Sequence, residues 1–375
     1  MRVEGAATER VVGTWAELAA YLRGRGLDAE SVLGVRPADL APSPRPSTLN
    51  PQPSTRLLPL RVPTYYLDLI DFSDPADPLR RQVLPTDDER EVAPEELLDP
   101  IGDDAHSPVP GVVHRYPDRA LLLLTAACRV HCRFCFRREF VGQPARALSK
   151  PQLAAAFDYL RAHDEIWEVV LSGGDVLTLP DAYLAGVLAR LRAIPHLRVV
   201  RIHSRVPAVL PDRLTDRLAE LLRAHAPVYL VVHVNHPREV TERFTAAVGR
   251  LIDRGVPVLS QSVLLRGVNA EAATLAALFR RLVEARVKPY YLHHPDLARG
   301  TAHFRVSVAE GQALMRQLRG RVSGLCLPTY VLDIPGGHGK VPLEASYVHY
   351  RGGDAYDVEA PLGGSVRYPS RAAQP

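Results

Sequence analysis

Residues 120–135 read ALLLLTAACRVHCRFC, an apolar run that empties into three cysteines, Cys128, Cys132 and Cys135. Ala120 to Thr125 has the length and apolarity of a buried strand, and the cysteines lie in the loop that follows it. Their spacing lets one loop bring three thiolates to a point, one ligand fewer than the four that close an ordinary zinc or iron–sulfur site. Three thiolates can hold three corners of a cubane [4Fe–4S] cluster and leave the fourth iron open to an exogenous ligand. A zinc knuckle needs a fourth donor: Cys326 is far along the chain, and His131 points away from its neighbours if the loop wraps. Three of the four cysteines sit in this loop, so there is no disulfide framework, and an open iron requires a reducing compartment.

Outward from this stretch the chain alternates strand and helix. Further strands are expected at Trp167 to Ser172, Leu197 to Ser204, Val228 to Asn235, Val258 to Leu265 and Lys288 to His293. Helical patterns lie between them at Pro151 to His163, Pro180 to Ala193, Leu210 to His225, Val240 to Arg254 and Glu271 to Ala285. This order predicts a parallel sheet of the α/β class. Six such strands give an incomplete (β/α)6 barrel, whose active site belongs at the C-terminal strand ends. The cysteine loop follows the first strand, and Ser172-Gly173-Gly174-Asp175 follows the second. Paired glycines there let backbone approach a ligand closely.

Four segments are expected: residues 1–60, an N-terminal helical part with a linker; 61–115, an irregular cap or arm; 116–325, the barrel; and 326–375, a C-terminal segment and tail. Two short helices are predicted near residues 13–40. Pro42, Pro44, Pro46, Pro51 and Pro53 then mark an extended linker. From Val62 to about Pro110 the chain is turn-rich and acidic, with Asp68, Asp71, Asp74, Asp77 and Asp87-Asp88-Glu89, which predicts solvated loops and caps without chemistry. The 375 residues are 46% hydrophobic, enough for one large core. No run of eighteen apolar residues occurs, and MRVEGAATER lacks the pattern of a signal peptide, so a cytoplasmic protein is expected with no membrane association. The formal net charge of +4 is small, and its arginines are dispersed, so no nucleic-acid footprint is expected.

Near the end, Asp333-Ile334-Pro335-Gly336-Gly337-His338-Gly339-Lys340-Val341-Pro342 reads as a conformationally free loop carrying one lysine, and neither a helix nor a core strand. The chain uses few lysines, and an amine held in this way can form a Schiff base with pyridoxal phosphate (PLP). Arg115 and Arg119, just before the first barrel strand, have the planar forks that suit phosphate.

The cysteine spacing is the C-x3-C-x2-C signature of radical S-adenosylmethionine (SAM) enzymes. Taken with SPVPGVVHRYPDR, Arg137-Arg138, LSGGD, RIHSRVP, HVNHP, QSVLLRGVN, PYYL, HFR and DIPGGHGK in that order, the chain resembles the lysine 2,3-aminomutases from about Tyr65 to Val341. The resemblance implies a PLP-dependent radical SAM enzyme. Cys128, Cys132 and Cys135 would hold a [4Fe–4S] cluster and Lys340 would hold PLP. Arg115, Tyr116 and Arg119 would meet its phosphate. Ser172, Gly173, Gly174, Asp175, His233 and Gln261 would line the SAM site. Arg137 would grip the substrate carboxylate, and Asp296 and Asp333 would receive its distal ammonium.

Two buried carboxylates repel unless a cation lies between them, so this pair selects a substrate with a positive end, lysine best, and disfavours glutamate. The implied reaction moves the α-amino group of L-lysine to C3, giving β-lysine, with an electron donor such as flavodoxin or ferredoxin reducing the cluster. Four alternatives stay open: another cationic amino acid; service to elongation factor P, a branch that Phe134 and Phe136 resemble; a PLP-independent radical SAM enzyme acting on RNA or protein; and a non-catalytic iron–sulfur or zinc module. Relatives that assemble through zinc carry a cysteine soon after GVN, whereas Ala270 and Glu271 stand here; homo-oligomerisation is left open.

Overall fold

The computed structural model describes residues 9–33, 57–143, 146–352 and 355–369. Short helices Trp15–Arg23 and Ala29–Leu33 occur where two were expected; the proline-rich linker call lies outside the described residues. The antiparallel pair β1 (Val11–Val12) and β2 (Val62–Pro63) ties this part to the arm.

The main sheet has nine strands. β3 (Val112–Tyr116), β4 (Arg119–Thr125), β5 (Glu168–Gly173), β6 (Val199–Ser204), β7 (Val228–His233), β8 (Val258–Val263), β9 (Lys288–His293), β10 (Thr329–Ile334) and β11 (Gly339–Pro342) lie side by side in chain order. β4 to β10 run parallel, and β3 and β11 are antiparallel to their neighbours. The six strands expected from the sequence are β4 to β9, and the helices between them fall as expected, except that the one expected from Leu210 begins at Asp216, after a 3-10 turn at Pro211–Arg213. Each helix buries one stripe against the sheet, as Leu275, Leu278, Phe279 and Leu282 do on Ala272–Glu284. Hydroxyl caps at Ser149, Thr215, Thr241 and Ser307 fix where the helices begin, each contributing about 1 kcal/mol. A separate antiparallel sheet, β12 (Val348–Tyr350), β13 (Ala355–Glu359) and β14 (Ser365–Pro369), ends the described chain.

Two expectations are corrected. The lysine-bearing stretch is not a free loop. β10 and β11 form a tight hairpin in which Asp333 and Lys340 are direct cross-strand partners. Only the turn is irregular: Gly336, Gly337 and Gly339 take φ of 79°, 82° and 95°, conformations that a side chain resists. Pro342 is tolerated because β11 is an edge strand. The hairpin therefore adds a seventh parallel strand and a returning edge to the barrel.

The acidic arm is not simply solvated. Asp77, Gln82, Glu89 and Glu96 are buried. Glu89 accepts from Arg133 at 2.7 and 2.5 Å and from Arg138 at 2.8 Å, so it anchors the second half of the cysteine loop and the residues just after it. These guanidiniums hold the Glu89 carboxyl below the usual range although burial pushes it up. Glu96 accepts from Gly300 N at 2.8 Å and Thr301 N at 3.2 Å, fixing the loop that follows β9.

Candidate active site

A cavity of about 390 Å³ opens at the C-terminal strand ends, and every residue given a cofactor or substrate role above, from Arg115 to Lys340, lines it. Its three regions are built differently.

The cysteine loop rests on the glycine pair. Gly174 N donates to Thr125 O at 2.5 Å and Asp175 N to Ala127 O at 2.8 Å. A Cβ on Gly173 would lie 2.4 Å from Thr125 O, and one on Gly174 would lie 2.3 Å from Ala127 O. The close approach that requires glycine is therefore to the cysteine loop's own backbone. The Asp175 carboxylate is also spoken for, accepting from Leu177 N, Ser204 Oγ, Arg205 N and Val206 N at 2.7 to 3.1 Å. It stitches the ends of β5 and β6 together. His131 turns away, as expected, its Nδ1 bonded to Pro59 O at 2.7 Å, and burial drops it to about 4, leaving it neutral.

Burial pushes the Cys128 thiol well up and Cys135 up to about 12, with the neighbouring Cys132 adding to both. Such thiols ionise only when a cation joins them, which is what coordinated iron supplies. Three free cysteines in one loop, all lining the cavity, are a donor set that fits an iron–sulfur cluster.

Across the cavity, the phosphate-type region spans the gap between edge strands β3 and β11. Lys340 N donates to Tyr116 Oη at 2.8 Å. The Arg119 guanidinium stacks 3.7 Å from the centre of the Tyr116 ring. Arg115 is buried, donating to Ile101 O at 2.8 Å. Arg115 Nε, Arg201 Nε and His203 Nε2 are all buried without a partner. Unpaired buried donors are costly, and a phosphate or another anionic oxygen would satisfy them. PLP fits this wall and the adjacent Lys340 amine.

The third region carries the substrate candidates. The Lys340 ammonium is ion-paired with Asp333 Oδ2, and Arg115 Nη1 stands 3.8 Å from Asp333 Oδ1. Burial, and then repulsion from Asp333, pushes the Asp296 carboxyl up to about 7. His293 is held at about 3 and His203 well below its ordinary value, in both cases chiefly by burial, so both imidazoles are neutral. Arg137 donates from Nε to Asp103 Oδ2 at 2.8 Å and from Nη1 to Ser172 Oγ at 3.2 Å. At the SAM-type wall, His233 and Gln261 are register partners on β7 and β8, and burial first drops His233 to about 3.

Sequence reasoning missed Asp103, because an aspartate in an acidic arm carries no signal until its arginines are placed. It also missed Arg201, His203 and Arg205, although their alternation along β6 and just past its end, inside RIHSRVP, was a usable sign of one inward face.

The radical SAM superfamily model matches residues 122–279, from within β4 into the helix Ala272–Glu284. Together with three cysteines on the first parallel strand's loop, this makes the chain a radical SAM enzyme. A second model, described as lysine-2,3-aminomutase, matches residues 315–355. The L-lysine 2,3-aminomutase of Clostridium subterminale is 47% identical over 291 residues, covering 78% of this chain and 70% of that protein. That of Escherichia coli K12 is 44% identical, covering 77% and 84%, and the glutamate 2,3-aminomutase of Clostridioides difficile is 40% identical, covering 78% and 69%.

The chain belongs to the lysine 2,3-aminomutase family. It is an isomerase, a radical SAM aminomutase whose cofactors are a [4Fe–4S] cluster, SAM and PLP. No helix among the described residues is long and apolar enough to cross a membrane.

Proposed function

We propose that this aminomutase acts on L-lysine and moves its α-amino group to C3 to give β-lysine. The observation that carries the reading is the Asp296–Asp333 pair, one carboxylate raised to about 7 and the other already holding an ammonium, that of Lys340. The site is shaped for a primary ammonium. The distal carboxylate of glutamate would meet like charge there.

When bound, the cluster with SAM supplies radical hydrogen abstraction, and PLP supplies the conjugated carbonyl that carries the migrating nitrogen. In this reading Cys128, Cys132 and Cys135 hold the cluster. Ser172 to Asp175, His233 and Gln261 wall the SAM site, with Asp175 fixing the loop rather than offering its carboxylate. Arg115, Tyr116 and Arg119 take the phosphate. The Lys340 ammonium must lose a proton before its amine can react, and Asp333 Oδ2, which already contacts it, is the acceptor within reach. Arg137, held by Asp103 and Ser172, grips the substrate carboxylate. Asp296 and Asp333 take the distal ammonium, so the two ends fix how far the reacting carbons stand from each wall. The electron comes from a small donor of the flavodoxin or ferredoxin type.

The test is anaerobic incubation of reconstituted enzyme with PLP, SAM, dithionite and carbon-13 lysine, followed by carbon NMR. β-Lysine formed at catalytic SAM is the expected result. Turnover of ornithine, arginine or glutamate with lysine left unchanged would overturn the reading.

A further inference from the structure

Among the described residues, Arg205 is a buried cation that the roles assigned above leave unused. Arg205 follows directly on β6, and its backbone is pinned where Arg205 N and Val206 N donate to Asp175 Oδ2 at 2.7 and 3.1 Å. Its side chain is buried and reaches across to the cysteine loop, where Nη1 donates to Cys132 Sγ at 2.8 Å. The other arm, Nη2, donates to Gln82 Oε1 at 2.6 Å and Glu239 Oε1 at 3.0 Å. Glu239 is fully buried, and its second oxygen accepts from Asn235 N at 2.7 Å and His236 N at 2.8 Å. The guanidinium also lies 5.1 Å from the centre of the Phe134 ring, between two of the cysteines.

A carboxylate, a guanidinium and a ligand sulfur thus stand in line, held from both ends by backbone. This is the form that outer-shell control of a metal ligand takes: a partner behind the ligand fixes its orientation and withdraws electron density from it. Hydrogen bonds to ligand sulfur are among the factors that set the potential of an iron–sulfur cluster. A charged donor stabilises the more negative, reduced cluster over the oxidised one.

We propose that Arg205 is a positioning residue for the cluster: it holds Cys132 in its ligating orientation and, by donating to that sulfur, raises the potential at which the cluster accepts its electron. Glu239 moderates the effect by neutralising part of the guanidinium charge. The step is a one-electron reduction, cluster 2+ to 1+, by an external one-electron donor. The inference rests on the cysteine loop being the cluster site.

The test uses the full chain, reconstituted anaerobically without SAM or PLP, so that contacts to those groups play no part. Iron and sulfide content, the electron paramagnetic resonance of the reduced form and the midpoint potential are measured for wild type, R205Q, R205K and E239Q. R205Q with a full cluster should titrate at a more negative potential, by about 59 mV for a tenfold loss of reduced fraction at fixed potential. R205K, which keeps a charge but loses the fork, should recover part of the shift. E239Q should move the other way, because it unmasks the guanidinium. Removing Arg205 strands Glu239, so if R205Q does not fold, the comparison of R205K with E239Q decides. Shifts of opposite sign support the proposal; no shift, or shifts of one sign, overturn it. A wild-type chain that assembles no cluster would instead overturn the assignment of the cysteine loop.

Discussion

Lysine binding should be governed by the proton on Asp296. In the ligand-free site, burial and the neighbouring Asp333 raise this carboxyl from 3.8 to about 7. A distal ammonium favours the ionised form, so binding draws the value down again. A carboxyl depressed on binding contributes affinity that is complete above its free-site value and lost as pH falls through it. Lysine should therefore bind with constant affinity above about pH 7 and weaken by up to tenfold, 1.36 kcal/mol, for each unit below it. If the bound carboxyl returned all the way to 3.8, the span would reach an upper limit of about 4 kcal/mol. Lys340 is one of the cations that hold Asp296 down, so engaging its amine with PLP while Asp333 stays ionised moves the step to higher pH. The assay is equilibrium dialysis of labelled lysine into PLP-loaded enzyme without SAM, from pH 5.5 to 8.5. Norleucine, of similar length and without the distal charge, should lack the step, and D296N should bind lysine weakly at every pH. A flat profile for wild type, or an unchanged step in D296N, would refute the reasoning.

Three further outcomes follow from the geometry. G174A should displace the cysteine loop, since its Cβ would sit 2.3 Å from Ala127 O, and iron bound after reconstitution should fall several-fold while circular dichroism is preserved. D103N should loosen the Arg137 guanidinium and raise the KM for lysine by roughly 10- to 100-fold, with a smaller change in kcat, since truncating one partner of a buried ion pair typically costs about 2 kcal/mol or more. E89Q leaves Arg133 and Arg138 buried without the carboxylate they share and should cost about 3 kcal/mol, read as a lowered melting temperature with or without cofactors.

The barrel was legible because its physics is local. Each of the six expected strands is a short, largely apolar run, and the helices between them show one buried stripe and a basic last turn, some of them behind a hydroxyl cap. The β10–β11 hairpin was not legible. Glycine and proline density reads as loop, and only pairing with β9 on one side and between Asp333 and Lys340 on the other turns it into strand. The arm failed for a related reason. Glu89, Glu96 and Asp103 look like solvated acids until Arg133, Arg138, Arg305 and Arg137 arrive from far along the chain. Asp175 shows the limit for single residues, because its place in the motif pointed to a ligand while its carboxylate is consumed by four donors within the fold.

The arm matters because the barrel does not close on itself. β3 and β11 end the sheet and do not pair with each other as strands. Open edges are usually blunted or covered, and here the covering is also the site. Tyr116 on β3 takes the amide of Lys340 on β11. Gly102 and His106 on the arm lie so tightly against the Gly336–Gly337 turn that a Cβ at Gly102 would be 2.5 Å from Gly336 C and one at Gly337 would be 2.3 Å from His106 Cε1. From the same stretch of arm, Asp103 holds Arg137 and stands 3.9 Å from Arg115. Lys340, Arg115 and Arg119, proposed to meet PLP, and Arg137, proposed to take the substrate carboxylate, are thus mounted on one seam. A group that bridges Lys340 to Arg115 and Arg119 joins β11 to the β3–β4 hairpin by contacts that a continuous strand ladder would otherwise supply. Loading that group should stiffen the arm as well as fill the cavity, and the arm in turn sets Arg137 before substrate arrives. Hydrogen exchange at amides 99–106, compared with and without PLP, reads this coupling directly: protection there on loading is required, and its absence would mean that the arm is rigid independently of the seam.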